Sequence, residues 1–175
     1  MKLIIGAAET VQDGWVSTDI RDLDVTKESD WIKILGSELA DNILSEHVWE
    51  HLTPEQSDIA NKNVFKSLRP GGKYRIAVPD GFHRDPKYIE YVKPGGYGAG
   101  AFDHKVLYNY KTLSKSLEDS GFVIDLLEYW DENGVFHHKD WDLSEGKIER
   151  SMNFDDRNKG GELKYTSLII DAIKK

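Results

Sequence analysis

The spacing of apolar positions changes several times along this chain, and each change marks an element. Leu3, Ile4 and Ile5 form an unbroken apolar run that stops at Gly6, and residues 15–17 and 42–44 are two further short runs. Runs of this length bounded by turn residues predict strands, the continuous ones buried on both faces. From residue 54 to 68 the period becomes helical, with Thr53 as N-cap and Pro54 at the first helical position. The segment LRPGGKYRIAVPD, residues 68–80, then ends that helix. Pro70 cannot continue it, and Gly71 and Gly72 can adopt the positive φ of a sharp reversal. Tyr74, Ile76 and Val78 alternate with Arg75 and Ala77 as a strand that Pro79 and Asp80 stop. A second clear helix spans residues 110–120 and is closed by Gly121, and further strands are predicted at 122–129 and 165–172. Strands alternating with helices imply right-handed crossovers and a mainly parallel sheet. The last strand follows a long polar stretch and suits an antiparallel edge position. Residues 1–175 read as one α/β domain, with 131–164 an irregular insertion before the last strand.

Composition narrows the class. A chain of 175 residues with 39% hydrophobic content suits one sizeable core, and 31% charged residues argue against a membrane protein. No apolar run approaches the ~18 residues of a membrane span. Met1 leads straight into KLIIG with no basic region or cleavage site, so no secretory signal is expected and the expected location is cytoplasmic. The absence of cysteine excludes disulfides and thiolate metal sites and fits a reducing compartment. A net charge of -8 argues against a nucleic acid as main ligand, because phosphate binding needs a basic face. A small molecule or another protein is the expected partner.

KLIIGAAE, ADNILSEHVWEHL and LRPGGKYRIAVPD occur in this order, followed by DHKVLYNYKTL, EDSGFVIDLLEYWD and YTSLIIDAIKK. Together they resemble class I S-adenosylmethionine-dependent methyltransferases over nearly the whole chain, most closely the small predicted ones. In that family the first strand ends in a glycine loop and the second in an acidic residue. A fourth runs into E-H-x-x-E-H-L, and a fifth follows L-x-P-G-G. The resemblance implies a Rossmann-like methyltransferase fold with S-adenosyl-L-methionine as cofactor and methyl transfer to a small molecule. It implies cofactor contacts from Gly6, Ala7, Ala8 and Glu9, and from Asp19 and Ile20 after the second strand. Asp24 and Val25, after a short third strand, would flank the adenine. Ser45 and Glu46, with His47, would stand where donor faces acceptor. Physically, a small-residue loop lets a ligand approach the backbone, Glu9 can face a cation, and Asp19 can accept from a ribose diol. Aspartates in turns are also common local hydrogen-bonders, so the structural reading stands beside the functional one. The chain departs from the family in having one glycine where two or three are common. About nine residues separate Gly6 from Trp15, fewer than the dozen or so a crossover needs. The first crossover helix is therefore expected to be shortened or lost, leaving a more open pocket. The Gly6-to-Asp19 spacing of thirteen is short for the same reason, against ~20 in dinucleotide folds.

His47 to His51 also spells H-x-x-E-H, in which two histidines on one helix bind zinc. Here a strand ends just upstream and Pro54 starts a helix just downstream, so no metal ligand is assigned, although His104, His137 and His138 could supply a third donor. His47 and His104 are the candidate bases for methyl transfer, with a purely structural hydrogen-bonding role as the alternative. The glycine-rich residues 93–101 before His104 could form a mobile lid. Residues 131–161 read either as a solvated loop or as the acceptor pocket, with Trp141, Arg150 and Arg157 binding an anionic acceptor. Two other functions remain open. One is a non-catalytic domain that binds the cofactor or its demethylated product, S-adenosylhomocysteine. The other is a metal-dependent hydrolase built on His47 and His51. A nicotinamide-linked dehydrogenase is disfavoured by the lack of G-x-G-x-x-G.

Overall fold

The computed structural model describes residues 1–175. Seven strands form one sheet: β1 (Lys2–Ile5), β2 (Trp15–Ser17), β3 (Ala40–Glu46), β4 (Leu68–Pro79), β5 (Val123–Trp130), β6 (Phe136–His138) and β7 (Ser167–Ile173). Their spatial order is β2-β1-β3-β4-β7-β5-β6. The first four in that order are mutually parallel, and β7 runs antiparallel to both β4 and β5. The last strand is thus antiparallel as expected, but it is internal and not at an edge. Its sequence SLIIDAI explains why: Leu168, Ile170 and Ala172 join the core on one face and Ile169 the core on the other. A strand apolar on both faces must be covered on both. The edge on that side is β6, formed by residues that read as irregular in the sequence.

Helices α1 (Glu28–Leu35), α2 (Pro54–Ser67), α3 (Pro86–Val92) and α4 (Tyr110–Glu118) complete the fold. Thr53 caps α2 reciprocally: its Oγ1 accepts from Gln56 N at 3.3 Å and Gln56 Oε1 accepts from Thr53 N at 2.9 Å. α1, α2 and α4 bury Trp31, Leu35, Ala60, Val64, Leu113 and Leu117 against Leu3, Ile43, Tyr74, Ile76 and Ile170. Each Leu, Ile or Val among them contributes about 1.5–3 kcal/mol on burial, so this face supplies most of the apolar stabilisation.

The opposite face is covered differently. No helix separates β1 from β2, and residues 6–14 make the connection in turns. Ile4, Leu44, Ala77, Leu127 and Ile169 are covered instead by Ile148, with Trp15 and Trp141 packed around them. Residues 139–155 therefore form a strap over the face that the lost crossover helix leaves open, and Ile148 and Ser151 in it are fully buried. Arg75 anchors it from β4. Its guanidinium holds the Asp171 carboxylate at 2.7 and 2.8 Å and donates to Asp142 O at 3.0 Å and Gly146 O at 2.5 Å.

Two local expectations are corrected. The Pro-Gly-Gly segment is not a sharp reversal. Leu68 already pairs with Ala40, and the extra residues form an irregularity before Lys73 pairs with Asn42. Gly71 takes φ +77°, and a side chain on Gly72 would meet Arg69 O and Asp41 O at 2.9–3.0 Å. There is also no third strand before Asp24, because residues 18–27 are turns stapled by that carboxylate, which accepts from Thr26 N at 3.1 Å and Thr26 Oγ1 at 2.6 Å.

Candidate functional site

β1 and β3 are adjacent and parallel, so their carboxyl ends open side by side. Ligands of open parallel sheets bind at this edge. Gly6 leaves β1 at φ +61°, and any side chain there would lie 2.5 Å from Val48 Cγ2. Ala7 N donates to Thr18 O at 2.8 Å, which clamps the loop beside the end of β2 and puts Asp19 next to it. Ala8 is left-handed at φ 48°, and the amides of Ala8 and Glu9 have no partner within the protein.

β3 ends in a similar turn. Ser45 is fully buried and bonded to the Tyr74 hydroxyl at 2.6 Å. Glu46 follows, accepting from Glu149 N at 3.0 Å and Arg150 N at 2.8 Å, so it fastens the strap to the strand end. His47 then takes φ 56°, which throws the chain into a short 3₁₀ turn, Trp49–His51. Trp49 is fully buried with its indole N–H on Asn61 Oδ1 at 2.8 Å. That anchor leaves Glu50 fixed and 1% exposed beside His47, His51 and His104.

Two cavities meet here. The first, about 590 Å³, lies between residues 4–8, Leu44, Glu46 and His47 on the sheet side and residues 149–157, the end of the strap and the turn after it. The second, about 380 Å³, is bounded by His47, Glu50, His51, His104, Tyr91 and Tyr165 and by the glycine-rich segment at residues 98–101. His47, Arg150 and Arg157 line both. Arg157 holds Asp155 at 2.5–2.8 Å and lies 3.4 Å over the Tyr165 ring. Burial, opposed by Arg157 and Arg150, pushes the Tyr165 phenol up to about 12. His47 Nε2 contacts Ser167 Oγ at 2.9 Å while Nδ1 stands 3.2 Å from Glu50 Oε1. His104 Nδ1 donates to Val92 O at 2.6 Å and its Nε2 lies 3.9 Å from the same Glu50 oxygen. Neither Glu50 oxygen accepts a hydrogen bond, since the His47 contact is close without being aligned. Burial raises the Glu50 carboxyl, but the facing His47, its own backbone amide and His51 outweigh this and hold it below the ordinary carboxylate range.

The structure thus brings together Gly6, Ala7, Ala8, Glu46, His47, His104, Arg150 and Arg157 around the two cavities. Glu9 lines a shallow extension of the first. Asp19, next to Thr18 in the clamp, lines neither cavity; its Oδ1 is engaged by Ile20 N at 2.6 Å, and Ile20 is largely exposed. Other candidates are placed elsewhere. Asp24 is spent on Thr26 and Lys27, Val25 is in the core, and Ser45 faces Tyr74. Trp141 packs by Arg75 on the strapped face and does not reach either cavity. The sequence pattern does not single out Glu50, Tyr165, Asp155 or Phe154. Glu50 was visible only as the acid between the two motif histidines.

No protein-family model matches the chain, and no curated protein does. Solved structures are similar at the level of fold. A SAM-dependent methyltransferase from Archaeoglobus fulgidus superposes with TM-score 0.56 at 18% identity, covering 99% of this chain and 85% of its own. A SAM-dependent methyltransferase from Thermotoga maritima gives TM-score 0.56 at 12% identity, covering 99% and 81%. No helix is long and apolar enough to cross a membrane. The α/β sheet with its reversed last strand is the Rossmann-like fold of class I S-adenosylmethionine-dependent methyltransferases.

Proposed function

We propose that the chain binds S-adenosyl-L-methionine in the first cavity and transfers its methyl group to a small acceptor held in the second. The observation that carries this reading is the pair of adjoining cavities at the carboxyl ends of β1 and β3, with His47, Arg150 and Arg157 lining both. About 590 Å³ lies within the range of cofactor sites. The donor set fits the group as well. The unpaired amides of Ala8 and Glu9 suit its carboxylate, Glu9 suits its ammonium, and the free Asp19 oxygen suits a ribose hydroxyl.

When bound, the cofactor supplies an electrophilic methyl on a sulfonium; the protein aligns the acceptor and takes its proton. His47 is the group to accept that proton, because it stands on the wall common to both cavities and Glu50 faces its Nδ1. An adjacent carboxylate stabilises the imidazolium that forms, as in other His–carboxylate pairs. Arg150 and Arg157 are the groups to orient an anionic acceptor, each keeping a carboxylate partner on its other side.

Isothermal titration with S-adenosylmethionine, and separately with S-adenosylhomocysteine, tests the reading. Micromolar binding of both, weakened about tenfold or more by Asp19→Ala, is expected. A folded sample that binds neither ligand would overturn it.

A further inference from the structure

We infer that Glu50, His51 and His104 form a divalent metal site in the second cavity, taking a transition ion such as Zn²⁺ or Co²⁺. Whether that metal serves the acceptor rests on the methyl-transfer reading; the site itself does not. One donor atom from each of the three residues lies within 4.8 Å of the other two. Donors around an ion at about 2.0–2.1 Å lie no more than about 4 Å apart, so small side-chain rotations close the site. Two imidazoles and a carboxylate are a donor set for zinc and neighbouring ions, and leave coordination positions open toward the cavity.

Three further observations point to a ligand. Both Glu50 oxygens are buried without a hydrogen bond, in a side chain 1% exposed. His47 Nδ1 stands 3.2 Å from Oε1 without a formed bond and Oε2 has no partner, and a buried carboxylate left in this state costs several kcal/mol unless a cation compensates it. Each histidine is also oriented as metal ligands are, with one ring nitrogen held from behind. His104 Nδ1 donates to Val92 O at 2.6 Å, and His51 Nδ1 faces Asp103 Oδ2 at 3.3 Å. Nε2 of both rings has no hydrogen-bond partner. The nearby cations do not oppose an ion, since Arg150 is paired with Glu46 and Arg157 with Asp155. The site is also not the one the H-x-x-E-H spacing suggests. His47 follows the end of β3, its Nε2 contacts Ser167, and His104 from a distant loop takes the place it would have filled.

The test is titration of the chelator-stripped full chain with Co²⁺ alone near pH 7.5, read by calorimetry and by ligand-field absorption. One equivalent should bind, with absorption bands that shift on displacement by Zn²⁺. Glu50→Gln and the half-exposed His51→Gln should each weaken binding about 100-fold or more, while His138→Ala, an exposed histidine on β6, should not. Absence of binding in the parent, or affinity unchanged in His51→Gln, would overturn the site. S-adenosylmethionine titrated into the same samples separates the two readings. His51→Gln that keeps cofactor binding and loses cobalt supports the metal site, and cobalt binding with no cofactor binding would leave this site standing and remove methyl transfer.

Discussion

Ala8 and His47 are the two non-glycine residues with left-handed backbone, and both stand on the rim of the first cavity. Such a conformation costs an L-residue about 1–2 kcal/mol, and strain of this kind clusters where a site needs a fixed direction. Ala8→Gly should therefore be stabilising by up to about 1 kcal/mol in denaturant unfolding, the relief being offset in part by unfolded-state entropy. Gly6→Ala should have the opposite sign, about 2 kcal/mol or more, because it adds that strain and a 2.5 Å clash with Val48. Equal effects from the two substitutions would mean that the loop relaxes freely. At His47, asparagine tolerates positive φ but cannot accept a proton. His47→Asn should leave cofactor affinity within about twofold and lower kcat of methyl transfer by about 10² or more; an unchanged kcat removes His47 as base. The glycine at position 6 announced the loop in the sequence. Alanine at position 8 announced nothing: its φ belongs to the turn that Thr10 N closes on Ala7 O at 2.6 Å, beside the Ala7–Thr18 clamp, a contact eleven residues apart in the chain. Glu50 was equally silent, because its burial beside His47, His51 and His104 is a property of tertiary packing.

Among elements, the strap is where reading and structure differ most. The alternation in β4 correctly separated Tyr74, Ile76 and Val78 from Arg75 and Ala77. It gave no sign that the Arg75 face is covered too. Arg75 is 1% exposed, and its partner Asp171 lies inside the apolar run of β7. The covering segment carries no period, because it is held by backbone carbonyls and single anchors: Gln12 with Lys147, Lys2 with Ser144 O, Lys73 with Glu145. The lost crossover helix was legible from the nine-residue gap; what replaced it was not. The element-scale prediction follows from Arg75 serving both the sheet and the strap. Asp171→Leu leaves the buried guanidinium with only Glu145 Oε2, at 3.8 Å, as a carboxylate neighbour and should cost about 3–5 kcal/mol. Adding Arg75→Met should restore part of this in global stability, while still exposing residues 139–147 to proteolysis because the Asp142 and Gly146 carbonyls lose their donor. A double variant as protease-resistant as the parent would show that the remaining anchors suffice.

The molecule as a whole carries two buried acids that resist ionisation, and this sets its response to pH. Glu128 on β5 is fully buried and accepts from Met152 N at 2.9 Å, and burial pushes its carboxyl up to about 7 despite that bond. Asp80 after β4 accepts from Trp130 N at 2.7 Å and Phe82 N at 2.9 Å, and burial raises it to about 6. Each binds its proton more tightly folded than unfolded. The stabilisation is therefore complete below the unfolded value near 4 and is lost as pH rises through the folded one. For Glu128 the window runs from about 4.5 to about 7 and corresponds to about 3 kcal/mol. His83 acts in the other direction: burial lowers it to about 4, so its contribution is lost as pH falls below 6.5. The parent's own profile mixes these opposing slopes, and a difference measurement isolates one of them. Glu128→Gln keeps an acceptor for Met152 N but cannot ionise, so its stability relative to the parent should rise by about 3 kcal/mol between pH 4.5 and 7.5. Urea unfolding at the two values measures it. A constant difference would mean that Glu128 ionises normally, held by the Met152 amide at the strap end that leads into the Arg157 wall of both cavities.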